Sequence, residues 1–348
     1  MKKSLRRLLT LSCLASLTLA ATPLAQASGL GLESSLNLLS FGNFSAPSSD
    51  VQGRVAIGGN ADFTGYSIDT LNGWNTLYSG TGLTVGGNLV VGGGSFGGNT
   101  VVGGNLSTVA GMGASFLGNL QVAGNLNANT GLTAAGISYG GSLTGNLAAS
   151  QPAGQVAAGS IQTGFNFAAE QQRLSSLAQN LDAATTTASG YRPYSSLLTF
   201  DTQGANLAVF DLSASDVASG GLQLDNLGAN TTVVLNVHGQ SVNFGTTWYQ
   251  NFASGRVLFN LPEATQVTFG GYVDASFLAP LAKFSTSWGA INGQVVVGSW
   301  SGAVQVNDAA FVGNISAVPE PETYAMLLAG LGLMGFTVQR RRKLTVSA

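Results

Sequence analysis

The sequence predicts an all-β chain: a parallel β-solenoid body with one flanking amphipathic α-helix, framed by an N-terminal signal peptide and a C-terminal short membrane segment. Three observations predict it. First, one phrase recurs: Ile57-Gly58-Gly59-Asn60-Ala61, Val85-Gly86-Gly87-Asn88-Leu89, Val102-Gly103-Gly104-Asn105-Leu106, Val122-Ala123-Gly124-Asn125-Leu126 and Leu143-Thr144-Gly145-Asn146-Leu147. A fixed phrase about every 20 residues is the mark of stacked structural repeats. Second, apolar residues return in phase before each phrase, as in Leu83-Thr84-Val85 and Thr100-Val101-Val102. A flexible glycine-rich linker would not need them. Third, the period changes once. Phe167, Leu174, Leu177, Ala178 and Leu181 fall at helical spacing within 165–184, with Glu170 to Arg173 on the other side.

In chain order, residues 1–27 read as a secretory signal. Lys2, Lys3, Arg6 and Arg7 precede an apolar run from Leu8 to Ala21, and Ala25-Gln26-Ala27 offers a small-residue cleavage site. Residues 28–317 read as one solenoid domain. Its first strand and corner lie at Asp50 to Asn60, residues 61–82 read as a loop rich in Thr, Gly and aromatics, and coils continue to about Ala148. Gly and Asn tolerate positive φ, so each Gly-Asn pair is expected at a tight corner. The helix is expected to lie along the solenoid and cover an apolar flank. Strands then return at 197–200, 206–210, 232–237, 242–244, 256–261, 266–269, 277–279 and 294–300.

Charge narrows the function. Only 8% of residues are charged. Eight of the 13 basic residues sit in the two termini, which leaves five against 13 acids in the body, near −8. Nucleic acid needs a basic footprint and is excluded. The single cysteine, Cys13, lies in the signal, so no disulfide or thiol chemistry is expected in the mature body.

The C-terminus has three parts: Val318-Pro319-Glu320-Pro321-Glu322, the apolar run Tyr324 to Val338, and Arg340-Arg341-Arg342-Lys343. The run is shorter than the ~20 residues typical of a span, and the basic end holds in the cytoplasm. This end resembles the PEP-CTERM sorting signal. The resemblance implies a Gram-negative source, export by the Sec translocon, and processing by an exosortase near Pro319-Glu320-Pro321. The mature protein would then reach the cell surface or medium. The body also carries Asp50-Val51-Gln52-Gly53-Arg54-Val55-Ala56-Ile57-Gly58-Gly59-Asn60, Phe259 to Thr265, Ser276 to Pro280, and Ile291 to Trp300. These stretches resemble the choice-of-anchor A domain. That resemblance implies an adhesive module with no catalytic residues, whose partner is an exopolysaccharide or a matrix protein of a biofilm.

Other chemistry is thin. Gly93-Gly94-Ser95-Phe96-Gly97 fits the nucleophile-elbow pattern but lacks its strand–turn–helix context. Gly92 to Gly97 fits the dinucleotide pattern, but no helix follows. Both read as a solenoid corner. His238 reads as a turn residue, since no second His or Cys exists in the body to share a transition metal. Asp201, Asp211, Asp216 and Asp225 read as turn aspartates, with calcium the competing possibility. Trp74, Trp248, Trp288 and Trp300, with Tyr66, Tyr78 and Tyr249, could stack on sugars, anchor a protein or simply pack. No catalytic, cofactor or metal residue is assigned, so the chain is not expected to be an enzyme. A surface adhesin or matrix protein is the leading expectation. An ice-binding or carbohydrate-binding solenoid is the runner-up, and a polysaccharide-active enzyme comes third.

Overall fold

The computed structural model describes residues 29–32, 36–73, 80–147, 153–315 apart from 185, 188, 219 and 246, and residue 330. Twenty-five strands form one continuous hydrogen-bonded sheet, and its pairings are parallel. Each coil crosses three ladders, so the body is a three-sided parallel β-solenoid. Within every coil alternate side chains point inward, as the period of two in a strand requires. The inward set makes one continuous apolar core that includes Leu38, Phe63, Phe96, Val102, Leu126, Phe210, Phe259, Phe284 and Trp300.

The coils do not stack in sequence order. Along the first ladder, face A, the spatial order is Leu207–Ser213, Thr232–His238, Val257–Asn260, then residues 276–279 and 295–297. Leu36–Ser40 comes next, followed by Arg54–Ile57, Thr81–Val85, Asn99–Val102, Asn119–Val122, Gly136–Tyr139 and Ala153–Gln155. The chain therefore starts in the middle of its own solenoid. It coils outward to residue 155, returns along the side, and coils back from the far end to close on its first strand. Two buried amides hold that closure. Asn37 donates to the Gly293 carbonyl at 2.9 Å and the Asn307 carbonyl at 3.1 Å, and accepts from the Gly53 N–H at 3.2 Å. Gln294 donates to the Leu36 carbonyl at 2.9 Å and accepts from the Phe311 N–H at 3.2 Å.

The return is made by the helix Phe167–Asp182. Asn166 caps it, its side chain accepting from the Ala169 N–H. Leu174, Ala178 and Leu181 pack on the outer side of face A against Leu39, Leu258, Leu278 and Val296. The helix runs from Phe167, beside Gly58, to Leu181, whose carbonyl accepts from the Asn236 side chain at 3.1 Å. Sixteen residues at about 1.5 Å each give about 24 Å. Five strand spacings of about 4.8 Å give the same length. One helix thus covers the seam between the two halves. The Asn260 side chain donates to the Ala178 carbonyl at 2.8 Å, so two carbonyls near the helix end are satisfied from the sheet.

The Gly-Asn corners work differently from expectation. Gly58, Gly59, Gly86, Gly87, Gly103, Gly104 and the asparagines after them are absent from the positive-φ residues. What requires glycine is close approach. A Cβ on Gly104 would stand 2.5 Å from Asn88 Oδ1, and one on Gly87 would stand 2.6 Å from Asn60 Oδ1. Each asparagine Oδ1 accepts the backbone N–H of the equivalent residue one coil on: Asn43 from Asn60, Asn60 from Asn88, Asn88 from Asn105, and Asn105 from Asn125. The ladder's next step is Asn125 to Ser142, 17 residues away. The last corner is therefore Gly140-Gly141-Ser142. The Gly145-Asn146 copy lies inside the strand Leu143–Leu147 instead. The segment 61–82, read as a loop, contains the strands Ala61–Thr64 and Ser67–Ile68 and the short helix Thr70–Gly73, with Phe63 and Tyr66 fully buried.

Two substitutions test this architecture. Val102 is completely buried, so Val102→Asp is expected to cost several kcal/mol through an unpaired buried charge. Asn37→Leu strands two carbonyls and one N–H at the closure and is expected to cost about 2–4 kcal/mol. Denaturant midpoints measure both, and an unchanged midpoint would place either side chain outside the role given.

Candidate binding faces

The helix and the segments that flank it cover face A except at its Ala153–Gln155 end, so most of the exposed surface is faces B and C. Face B is the second ladder. One outward row runs in register through Asn243, Thr268, Ser285 and Ser301, then Ser45, Asp62, Val90, Ser107, Asn127 and Thr144. It crosses the closure without interruption. Nine strand spacings make it about 43 Å long. Its side chains are short and partly or fully exposed, so the surface is flat, polar and nearly uncharged. The inward neighbours of this row, among them Phe44, Phe63, Phe284 and Trp300, stack on one another and stiffen it from beneath.

Face C is the third ladder, made at the far end by a separate four-stranded sheet of Tyr191–Tyr194, Leu197–Asp201, Gly221–Asp225 and Trp248–Gln250 and then by residues 271–273, 289–291 and Gln305–Asn307, and it is where the exposed aromatic residues among those described lie. Trp300 and Tyr66 are buried, and the Tyr66 hydroxyl donates to the Val304 carbonyl at 3.1 Å. Burial pushes the Tyr66 hydroxyl pKa well up, and Asp50 adds to this. Tyr249 packs against the core. Trp74 and Tyr78 lie outside the described residues. Trp248 and Trp288 are exposed, and so are Tyr191, Tyr194 and Tyr272, which sequence reasoning did not single out. The missed signal was alternation: Tyr272 sits between Gly271 and the inward Val273 and so must face out.

Of the candidate aspartates only Asp201 and Asp225 come together. Asp201 and Asp225 are directly paired across Leu197–Asp201 and Gly221–Asp225. Each is met by protein donors: Asn226 and the Gln203 N–H for Asp201, Gln223 and the Tyr191 hydroxyl for Asp225. The Asn226 hydrogen bond holds the Asp201 carboxyl below its usual range. Asp216 accepts from the Ser213 hydroxyl and N–H at the start of the helix Ala214–Ala218 and pairs with Arg192 at 2.6 Å. Partial burial works against ionisation there, but these donors outweigh it and lower the pKa. His238 is not in the turn. It ends the strand Thr232–His238, with Nδ1 and Nε2 each 3.6 Å from a carboxylate, of Asp182 and Asp211 respectively. Burial raises the Asp182 pKa; His238 lowers it, and Asp211 and Glu263 raise it further. Among the described residues no group of three or more His, Cys, Asp and Glu is placed to hold a metal ion. Gly93 and Gly94 take positive φ at the corner between faces B and C, and Ser95 opens a two-residue strand rather than a helix. Ala25, Ala27, Pro319, Glu320, Pro321, Arg340, Arg341, Arg342 and Lys343 lie outside the described residues.

A parallel β-solenoid with two open faces is the class this geometry defines, and comparison with known proteins places it in a family. Residues 29–308 match the model of an ice-binding-like adhesive domain, a domain whose adhesive role is itself inferred. The chain belongs to that family. Residues 317–343 match the PEP-CTERM protein-sorting motif, which marks export and membrane-anchored sorting to the cell surface in Gram-negative bacteria. No curated protein matches the chain. Among solved structures, an ice binding protein from an Antarctic bacterium, Flavobacteriaceae, is similar at 14% identity and a TM-score of 0.23, covering 81% of this chain and 98% of its own.

Two solution measurements follow. Because Asp201 and Asp225 already have donors, calcium is expected to leave the melting temperature unchanged; a rise reversed by chelator would show a site there. Asp216 has a lowered pKa in the fold, so its stabilisation is present above the usual carboxylate range and is lost as pH falls through its folded pKa. The stability deficit of Asp216→Asn at pH 7 is therefore expected to shrink as pH falls below the usual carboxylate range, read from denaturation midpoints.

Proposed function

We propose that the mature chain is a surface-displayed, non-catalytic adhesin that holds an extended ligand on face B, in an exopolysaccharide or protein matrix. The observation that carries this is the uninterrupted outward row from Asn243 to Thr144. A flat rigid row binds by many weak contacts in parallel, and its pre-formed geometry spares the ordering cost of binding. The placement of the termini supports it. Past Asn307 the chain runs back over the outer side of face A, where Phe311 and Ile315 are buried and the Asn314 N–H donates to Thr232 Oγ1, so its last described stretch lies across the solenoid from face B. The resemblance to choice-of-anchor A domains belongs to the same reading.

Processing is the second part of the proposal. An exosortase cuts near Pro319-Glu320-Pro321, the mature chain begins near Ser28, and the tail from Tyr324 to Ala348 is lost, much as the apolar tail of a GPI signal is removed. Intact mass of the surface form is expected to lack the tail only in cells that keep their exosortase. A retained tail makes the segment an ordinary anchor.

Binding is tested on the mature body with Ser45→Tyr and Ser301→Tyr, which raise a bulky ring at mid-face. Retention on cell-derived matrix is expected to weaken at least tenfold with unchanged melting. Unchanged retention removes face B from the function. Ice is the second reading, favoured by the regular spacing of Thr, Ser and Asn along the row. Shaping of ice crystals by the wild-type body, lost in the same variants, would select it.

A further inference from the structure

We infer that face C carries a second binding site, an aromatic platform for a neutral polysaccharide, formed by Tyr194, Trp248, Tyr272 and Trp288. The inference rests on the adhesive reading and names a ligand class within it. Among the described residues the exposed aromatic side chains are these four and Tyr191, between 47% and 71% exposed. All five belong to the coils that return from the far end. Of the exposed aliphatic side chains, Leu71, Met112 and Leu117 belong to the outgoing coils, Leu281 lies by Gly298 at the corner between faces A and B, and Val312 lies by Gly255. The platform is thus made of rings alone.

The topology sets the rings in a line. Tyr194 pairs with Leu197, Leu197 with Gly221, and Gly221 with Trp248. The Thr247 carbonyl, next to Trp248, is 3.9 Å from where a Cβ on Gly271 would stand, which puts Trp248 beside Tyr272. Tyr272 and Trp288 then meet edge to face with ring centroids 5.9 Å apart. Five strand spacings give a platform about 24 Å long, room for several pyranose rings.

Each indole rests on a glycine. A Cβ on Gly221 would fall 2.2 Å from two atoms of the Trp248 ring and 2.7 Å from a third, all around its ring junction. The indole therefore lies across the strand with one face on backbone and the other open. A Cβ on Gly270 would fall 3.0 Å from the Trp288 Nε1. Rings fixed from beneath lose little freedom on binding. Their open faces carry the negative side of the ring quadrupole, and the C–H face of a pyranose presents the complementary charge. Gln250 lies in register with Gln223 beside the row and offers its amide to sugar hydroxyls, while Gln223 is engaged with Asp225.

Charge chooses among polymers. Arg192 is engaged with Asp216, while Asp201 and Asp225 lie on the same small sheet. Among the described residues no free cation is placed beside the rings to meet a carboxylate or sulfate, so an acidic chain is repelled and a neutral one is not. A protein partner would find rings without the aliphatic surround that interfaces bury around their anchors.

Affinity electrophoresis of the mature body through laminarin, dextran or hydroxyethyl cellulose tests this, with alginate as the charged polymer. Retardation by at least one neutral polymer and not by alginate is expected. Trp248→Ala and Trp288→Ala should each weaken it at least tenfold with unchanged melting, and Trp248→Phe should keep most of it. No retardation by any neutral polymer, preference for alginate, or full retardation of the double alanine variant overturns the proposal. So does a double variant that loses retention on protein-coated surfaces alone. Ser45→Tyr separates the two sites. If it abolishes matrix retention and leaves polysaccharide retardation intact, the platform stands independently of face B. If matrix retention persists while no neutral polymer retards the protein, the adhesive reading survives and the platform falls.

Discussion

Everything in this body depends on the first strand finding its place between two parts of the chain that are far apart in sequence. Leu36–Ser40 pairs with residues 295–297 on one side and with residues 54–57 on the other. Without it each half would end in an open strand edge, with a row of unpaired backbone groups. Asn37 makes the junction specific, because its amide spans three coils and is buried with every bond made inside the protein. An apolar residue of the same size would fill the space and leave three backbone groups orphaned.

The helix answers a length problem created by that closure. A chain that coils outward and must resume at the opposite end needs a straight return of fixed reach. An amphipathic helix supplies the reach and buries the outer side of face A in the same element. Asn236 and Asn260, inside otherwise apolar strands, bond to each other and to carbonyls near the helix end. That contact locks helix to sheet and gives polar residues in a buried strand a role other than chemistry. One face is spent on holding the halves together, and the other two remain for binding.

The free ends of the solenoid are handled unequally. At the far end the strand Tyr191–Tyr194 runs antiparallel to its neighbour and carries Pro193, which removes a donor from the edge. The helix Ala214–Ala218 packs beside Ser241–Asn243 and closes face B there. At the other end Leu143–Leu147 and Ala153–Gln155 are largely exposed. The aromatic platform lies at the guarded end, on the strands that cap protects.

By itself the sequence determined the parallel solenoid, the single long helix within 165–184, the acidic Cys-free body and the sorting motif near the C-terminal end. These follow from local causes: a period in the apolar residues, a change of that period, and composition. Only the tertiary structure decided the stacking order. Parallel coils of similar length are interchangeable in pattern, and the choice of neighbour rests on single side chains such as Asn37 and Gln294. It also decided why the corner glycines are there. Their φ is ordinary, and the constraint comes from an asparagine in the adjacent coil, which a reading along one strand does not contain. The same holds for the last corner, where Ser142 rather than Asn146 receives the ladder's bond from Asn125. Which aromatic residues face water was settled the same way. Trp300 and Trp288 stand in similar strand contexts, but one points into the coil and the other out of it, and that depends on where each coil turns its corner.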